Sequence, residues 1–294
     1  WRTLVNEHVA PVRACTDMEE YLFDLNGYLI LKGALTPQQV AACNATYDEI
    51  EEAAKSIQGR GWWGNVSVNN SGKQEGIVLQ QLYEAGQVWE DLLDHPSWFD
   101  KAIHFIGTDD PENFDGNHGP AFIDECFGTI RATGGAQRLH SGGHVGTIRT
   151  QFRYHAGKFH CGQINVLMAF NDIGPGDGAT MVIPGSHKSN IRHPQTVAIE
   201  KRGEETSVDD VEGAIECHLE KGDALLFVDA IAHGSARRTN PGNRRIAVYR
   251  YGPSWGHFRL PFRPSKELLE RLTPRRRSLV YPHGEPVYPP GRSA

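Results

Sequence analysis

Fourteen histidines are many for a chain of 294 residues, and most of them are expected to be structural or exposed. The informative one is His233. It closes the apolar run Gly222-Asp223-Ala224-Leu225-Leu226-Phe227-Val228-Asp229-Ala230-Ile231-Ala232-His233-Gly234-Ser235. An imidazole at the end of a strand is held by a stiff element and can serve as a metal ligand at a barrel mouth. Arg244 follows eleven residues later, where the next strand is expected to begin. A hairpin would bring the two together and set a planar, carboxylate-binding fork beside a metal ligand. The competing reading is an ordinary hairpin with a buried polar pair.

Two further blocks precede that run. They are Asn171-Asp172-Ile173-Gly174-Pro175-Gly176-Asp177-Gly178 and Met181-Val182-Ile183-Pro184-Gly185-Ser186-His187-Lys188. In this order the three blocks resemble the phytanoyl-CoA dioxygenase family of iron(II)/2-oxoglutarate enzymes. The resemblance runs over residues 20–265 and is densest from 135 to 252. It implies a double-stranded β-helix (jelly-roll, cupin-like) core, His233 as the distal iron ligand and Arg244 as the clamp on the far carboxylate of 2-oxoglutarate, with Ser235 assisting. Gln137 and Asn165 are weaker candidates for co-substrate contacts. His187 lies in a string that the family uses as a loop, so its role is expected to be structural.

The family's usual triad is H-x-D or H-x-E before the P-G-S-H loop, followed by the distal histidine. Two imidazoles and a carboxylate on one face of iron leave the other positions for 2-oxoglutarate and dioxygen. This chain has no H-x-D or H-x-E in that region. His140, His144, His155 and His160 all have glycine at the third position. His140, in Leu139-His140-Ser141-Gly142, is the preferred proximal ligand, and Gly142 stands where the carboxylate would be. His218-Leu219-Glu220 and His283-Gly284-Glu285 come after the loop. Asp229 would lie roughly 13 Å from His233 along an extended strand, too far to share a metal. Asp172 and Asp177, in a turn, stay open.

An H-x-G site is similar to that of the iron halogenases of the same superfamily. There chloride binds iron in place of the carboxylate and restores the charge balance. The resulting expectation is a radical halogenase acting on an unactivated C–H bond, with iron(II), 2-oxoglutarate, chloride and dioxygen. A hydroxylase is the alternative, and a non-catalytic binding protein on the same scaffold is the second. Halogenases of this type resemble enzymes of nucleoside-antibiotic pathways, so the expected substrate is a free anionic metabolite such as deoxyadenosine monophosphate. Trp62, Trp63 and Tyr83 could stack a base. Arg138, Arg153, Lys158 and Arg192 could hold a phosphate. Core packing for the aromatic residues and plain solvation for the cations are the competing readings.

These residues need elements to position them. Thr36, Pro37 and Gln39 form a capping box with proline at the first turn, so a helix is expected over 36–56. Val40, Cys43, Tyr47, Ile50 and Ala54 make its buried stripe. Residues 21–30 read as a short helix, a turn at Asn26-Gly27 and a strand. Asp94 to Ser97 reads as the entrance to a helix from Trp98 to Ile106. Gln163–Phe170, Ala179–Ile183, Ala224–Val228 and Ile246–Tyr251 read as strands separated by Gly- and Pro-rich turns. The whole, 1–294, is expected to form one domain. Its parts are a helix-rich region over 1–120, a jelly-roll core over 121–260 and a tail over 261–294 draped on the surface.

Composition agrees with a globular chain: 39% hydrophobic, 22% charged, formal charge −6. Residues 1–120 contain 7 Lys and Arg against 19 Asp and Glu, and the remainder 23 against 17. The basic second part suits a small anion but is too mild for a nucleic-acid groove. No apolar run approaches the roughly 18–20 residues of a membrane helix, and no secretory signal is visible. Five scattered cysteines without C-x-x-C argue against a disulfide framework or a structural zinc site, so a cytoplasmic setting is expected. Oligomeric state is not legible.

Overall fold

Thr16 and Thr36 start the first two helices by the same device. Thr16 Oγ1 accepts the Glu19 amide at 3.2 Å and the Glu19 carboxylate accepts the Thr16 amide at 2.8 Å, which opens α1 (Asp17–Asn26). Thr36 and Gln39 exchange the equivalent bonds at 3.2 and 2.9 Å before α2 (Pro37–Ala54). Each box satisfies two amides that have no partner inside the helix. The α2 stripe is buried as its spacing demands, and Tyr47 donates its hydroxyl to the Ile246 carbonyl at 2.6 Å, fixing the helix to the sheet beneath. Gly27, at φ 84°, ends α1. A Cβ there would lie 2.5 Å from His187 Nδ1. His187 is therefore a packing residue: its Nε2 donates to the Asp24 carbonyl at 3.0 Å.

A computed structural model of the protein describes residues 14–70, 76–109, 120–142, 148–202, 210–254 and 263–281. In chain order its strands are β1 (Tyr28–Leu31), β2 (Gly59–Trp63), β3 (Val66–Asn70), β4 (Ile77–Gln80), β5 (Phe122–Arg131), β6 (Gln137–His140) and β7 (Tyr154–His155). They continue with β8 (Lys158–Phe159), β9 (Ile164–Ala169), β10 (Thr180–Ile183), β11 (Ile215–Cys217), β12 (Ala224–Val228), β13 (Ala232–Ser235) and β14 (Arg244–Gly252). An eight-stranded sheet runs β1-β12-β9-β14-β5-β4-β3-β2, and a four-stranded sheet runs β11-β10-β13-β6. All pairings in both are antiparallel. The sheets face one another as the two walls of a jelly roll. The helices α1, α2, α3 (Gln87–Asp91) and α4 (Phe99–Ile106) pack aromatic and aliphatic side chains on the outside of the larger sheet, where Tyr47, Trp89, Trp98, Phe99 and Tyr251 are fully buried.

Two expectations need correction. The first 120 residues are not simply helix-rich, because β1 to β4 belong to the larger sheet. The β2–β3–β4 meander is made of strands of four or five residues, and its β-branched residues come only in the short runs Val66-Ser67-Val68 and Ile77-Val78. The longest strand in the described residues, β5, also escaped notice. Its cavity-facing positions are Glu125, Phe127, Thr129 and Arg131, so polar groups stand where apolar ones would signal burial. The tail does not simply drape. α5 (Pro194–Arg202) lies earlier in the chain, and the tail itself forms α6 (Lys266–Arg271) and α7 (Pro274–Val280). These bury Leu268, Leu272 and Leu279 and pair Arg271 with Glu90 at 2.7 Å and Arg276 with Asp94 at 2.6 Å. No helix among the described residues is long and apolar enough to cross a membrane. All five cysteines are free and buried.

Candidate metal and co-substrate site

The strand register lays out the inner face of the larger sheet in rows. Arg131 on β5 stands opposite Arg244 on β14, then Thr129 opposite Ile246, Phe127 opposite Val248, and Glu125 opposite Arg250. On the other side of β5, Val78 and Gln80 of β4 extend the middle two rows. These side chains form one wall of a cavity of about 460 Å³. The smaller sheet supplies the opposite wall with Gln137, His140, Thr180, His233 and Ser235.

His140 and His233 are direct partners in the β6–β13 ladder. Their ring centroids lie 4.1 Å apart at an interplanar angle of 56°. His233 Nδ1 donates to the Ile231 carbonyl at 2.8 Å, and His140 Nδ1 donates to the Arg138 carbonyl at 3.2 Å. A carbonyl can only accept, so both rings carry hydrogen on Nδ1 and present the Nε2 lone pair. Burial, then the neighbouring His140, pushes His233 down to about 3. Burial also lowers His140. Two neutral imidazoles with fixed tautomers are a fitting donor set for a divalent transition metal. His155 and His160 are exposed and do not line the cavity. His144 and His283 lie outside the described residues.

Gly142 has φ 76°, and a Cβ there would fall 2.7 Å from the Ala232 Cβ. The backbone is thus shaped for glycine, and an Asp or Glu would have to displace β13. Asp229 is not a strand's length from His233, because the two act on each other's charge. The chain turns a corner between β12 and β13, where the Ile231 amide donates to the Val228 carbonyl at 3.1 Å, so Asp229 stands in the turn and His233 on the smaller sheet. Asp229 is 1% exposed. Burial opposes its charge, but His233, Arg250, Arg149 and a 3.2 Å hydrogen bond from Asn165 hold its carboxyl below the ordinary value. Asp172 and Asp177 are turn residues: one accepts the Lys221 amide at 2.9 Å and the other pairs with Arg238 at 3.1 Å. Glu216 engages the half-exposed His218 at 2.7 Å. Among the described residues no group of three or more His, Cys, Asp or Glu side chains could hold a metal.

The hairpin expected between His233 and Arg244 does not form: β13 pairs with β10 and β6, β14 pairs with β5 and β9, and Arg244 stands with a second buried arginine at the other end of the cavity. Arg244 Nη2 donates to Thr180 Oγ1 at 3.1 Å, and Arg131 Nη1 donates to Ser235 Oγ at 2.7 Å. Ser235 Oγ also accepts the Gln137 amide at 3.2 Å. Burial, reinforced by Arg131 and Arg238, holds Arg244 well below its ordinary value. Paired guanidinium groups out of water call for an anion between them. Sequence alone did not single out Arg131, whose strand β5 lacks apolar alternation, nor Thr180, which lies on an expected strand but carries no motif. Asn165 is not a lining residue; it supports Asp229 from behind.

The expected base-stacking and phosphate residues are not brought together. Trp62 is 60% exposed on the edge strand β2, Trp63 packs against the core, and Tyr83 is buried in it. None lines the cavity, and neither do Arg138, Arg153 or Lys158. Arg192 pairs with Glu200 at 2.8 Å and lines a second cavity of about 430 Å³ beside Ser141 and Gly142. The cations that do reach the metal end are Arg149 and Arg250. Arg250 pairs with Glu125 at 2.8 Å and lies 5.0 Å over the Phe127 ring, while Gln80 donates to Glu125 at 2.9 Å.

Comparison with known proteins bears on the family and the fold. The model of the family described as phytanoyl-CoA dioxygenase (PhyH) matches residues 23–246. The dioxygenase trt7 of Aspergillus terreus (strain NIH 2624 / FGSC A1156) is 25% identical over 289 residues, which cover 94% of this chain and 85% of that protein. The dioxygenase cdmD of Talaromyces verruculosus is 30% identical over 122 residues, 40% of this chain; the match spans only 35% of that enzyme's length. Among solved structures, HygX from Streptomyces hygroscopicus with nickel and 2-oxoglutarate bound superposes with TM-score 0.65 at 21% identity, covering 83% of this chain and 89% of that one. EctD from S. alaskensis in its apo form gives TM-score 0.58 at 17% identity, covering 83% and 79%. At these identities the structures speak for the fold.

Proposed function

Because the chain belongs to the phytanoyl-CoA dioxygenase family, we propose that it is an iron(II)/2-oxoglutarate oxygenase whose protein ligands are His140 and His233, and that it halogenates a free anionic small molecule. The observation that carries the second part is Gly142, whose positive φ and contact with Ala232 leave no room for the family's carboxylate. Bound iron(II), with 2-oxoglutarate and dioxygen, would supply the oxidation of an unactivated C–H bond, and chloride would supply the halogen.

The chain's own contribution is binding and order. Arg244 and Arg131 take the far carboxylate of 2-oxoglutarate, and Thr180 and Ser235 hold those guanidinium groups in place. Phe227, Leu167, Val248 and Ile246 supply the apolar lining that keeps water from the reacting carbon. Four arginines, Arg131, Arg149, Arg244 and Arg250, line the cavity, against the carboxylate of Glu125 and that of Asp229 just behind. A divalent metal and 2-oxoglutarate cancel one another in charge, so a positive surplus is left for an anionic third component. That supports an anionic substrate, and deoxyadenosine monophosphate is the first candidate to try.

Hydroxylation is the second reading, favoured by the two fungal relatives, both dioxygenases by name. The protein, loaded with iron(II) and given 2-oxoglutarate, chloride, oxygen and deoxyadenosine monophosphate or other anionic metabolites, is followed by mass spectrometry. Chlorine in the product is the expected result. Products that carry added oxygen and never chlorine would leave the hydroxylase.

A further inference from the structure

The four cavity arginines are not equally engaged. Arg131, Arg244 and Arg250 each have a partner atom within 2.7 to 3.1 Å. Arg149 faces Asp229 Oδ2 at 3.5 Å. That is longer than the roughly 2.7–2.9 Å of a charge-assisted hydrogen bond, and Oδ2 accepts no hydrogen bond among the described residues. The Arg149 side chain keeps 28% of its surface exposed, whereas that of Asp229 keeps 1%. Arg149 belongs to the short turn Ile148–Thr150 and shares the cavity wall with His140 and His233. A guanidinium that faces a cavity with only a loose, buried counter-ion behind it is arranged to take a second anion in front.

We propose that Arg149 forms an anion-holding position at the metal end of the cavity, distinct from the Arg131 and Arg244 clamp, with Asp229 as its backstop. The ligand is a small anion delivered next to the two imidazoles: a halide, or the near carboxylate of 2-oxoglutarate. This rests on the reading that His140 and His233 hold the metal.

The test uses the full chain loaded anaerobically with cobalt(II). Chloride and 2-oxoglutarate are titrated in separate arms, and ligand-field absorbance is the readout. Arg149→Gln is expected to weaken one arm by about tenfold or more, as loss of a charge-assisted contact does, with Arg149→Lys recovering part of it. Weakening in the chloride arm assigns a halide; weakening in the 2-oxoglutarate arm assigns the carboxylate. Asp229→Asn removes the competing counter-ion and is expected to tighten the same arm. If the pair were merely structural, both variants would lose affinity together, and that result overturns the proposal. Unchanged affinities for Arg149→Gln in both arms overturn it as well. The broader reading fails differently. A wild-type protein that takes up no cobalt removes the two-histidine site itself, and the proposal falls with it. A wild type inert to chloride removes halogenation, and Arg149 is then judged on the 2-oxoglutarate arm.

Discussion

If His140 and His233 hold the metal as proposed, the backbone conformation of Gly142 is what would decide between two chemistries. Restoring the family's carboxylate is a one-residue change on paper, but here it meets both a left-handed backbone and the Ala232 methyl. Gly142→Asp is therefore expected to destabilise the protein by about 1–3 kcal/mol, the range for a strained non-glycine φ, and to leave metal affinity no higher than in the wild type. Thermal unfolding and a cobalt titration on the same preparation check both parts; a stable variant that binds metal more tightly would mean the backbone can present an acid after all. That a glycine stands two residues after His140 was readable from the H-x-G pattern alone. The reason a carboxylate cannot simply be put there was not, because Ala232 comes from a strand 90 positions further along the chain.

At the scale of elements, capping and periodicity carried far. Thr36 with Gln39 and the Val40 to Ala54 stripe define α2 with no knowledge of its surroundings. The P-G-S-H loop is different, since His187 gets its meaning from the end of α1, against which it packs. Burial pushes His187 down to about 4. The unfolded chain would protonate it near its ordinary value of about 6.5, so its contribution to stability is full above that pH and is lost as pH falls toward 4. At pH 5 the loss is on the order of 2 kcal/mol. Chemical denaturation at pH 7 and pH 5 should give a smaller difference for His187→Gln than for the wild type. Equal differences would mean the ring is solvated in the folded state. β5 is the counterexample at this scale. Its length and position are central, yet Glu125, Thr129 and Arg131 on its inner face erase the apolar alternation that reading a strand depends on.

For the whole molecule, the proposed co-substrate clamp is a product of two sheets closing on one another. Arg131 and Arg244 come from the larger sheet, and Ser235 and Thr180 from the smaller. Arg244→Gln and Arg131→Gln are each expected to raise the Kd for 2-oxoglutarate by about tenfold to a hundredfold, as loss of one charge-assisted contact to a carboxylate does. The double variant should lose less than the two effects summed, since both groups share one anion. Isothermal titration of the metal-loaded protein reads this; strict additivity would mean that the two arginines serve separate ligands. From the amino-acid order came the jelly-roll class, His233 at a strand end, Arg244 at the start of another strand, and a glycine two residues after His140. Those are local matters of residue type, spacing and turn chemistry. Which histidine stands across from His233, which arginine joins Arg244, and that the tryptophans and surface cations lie away from the cavity were decided by strand register. Register is set by how distant segments pack face to face, and nothing along the chain between them records it.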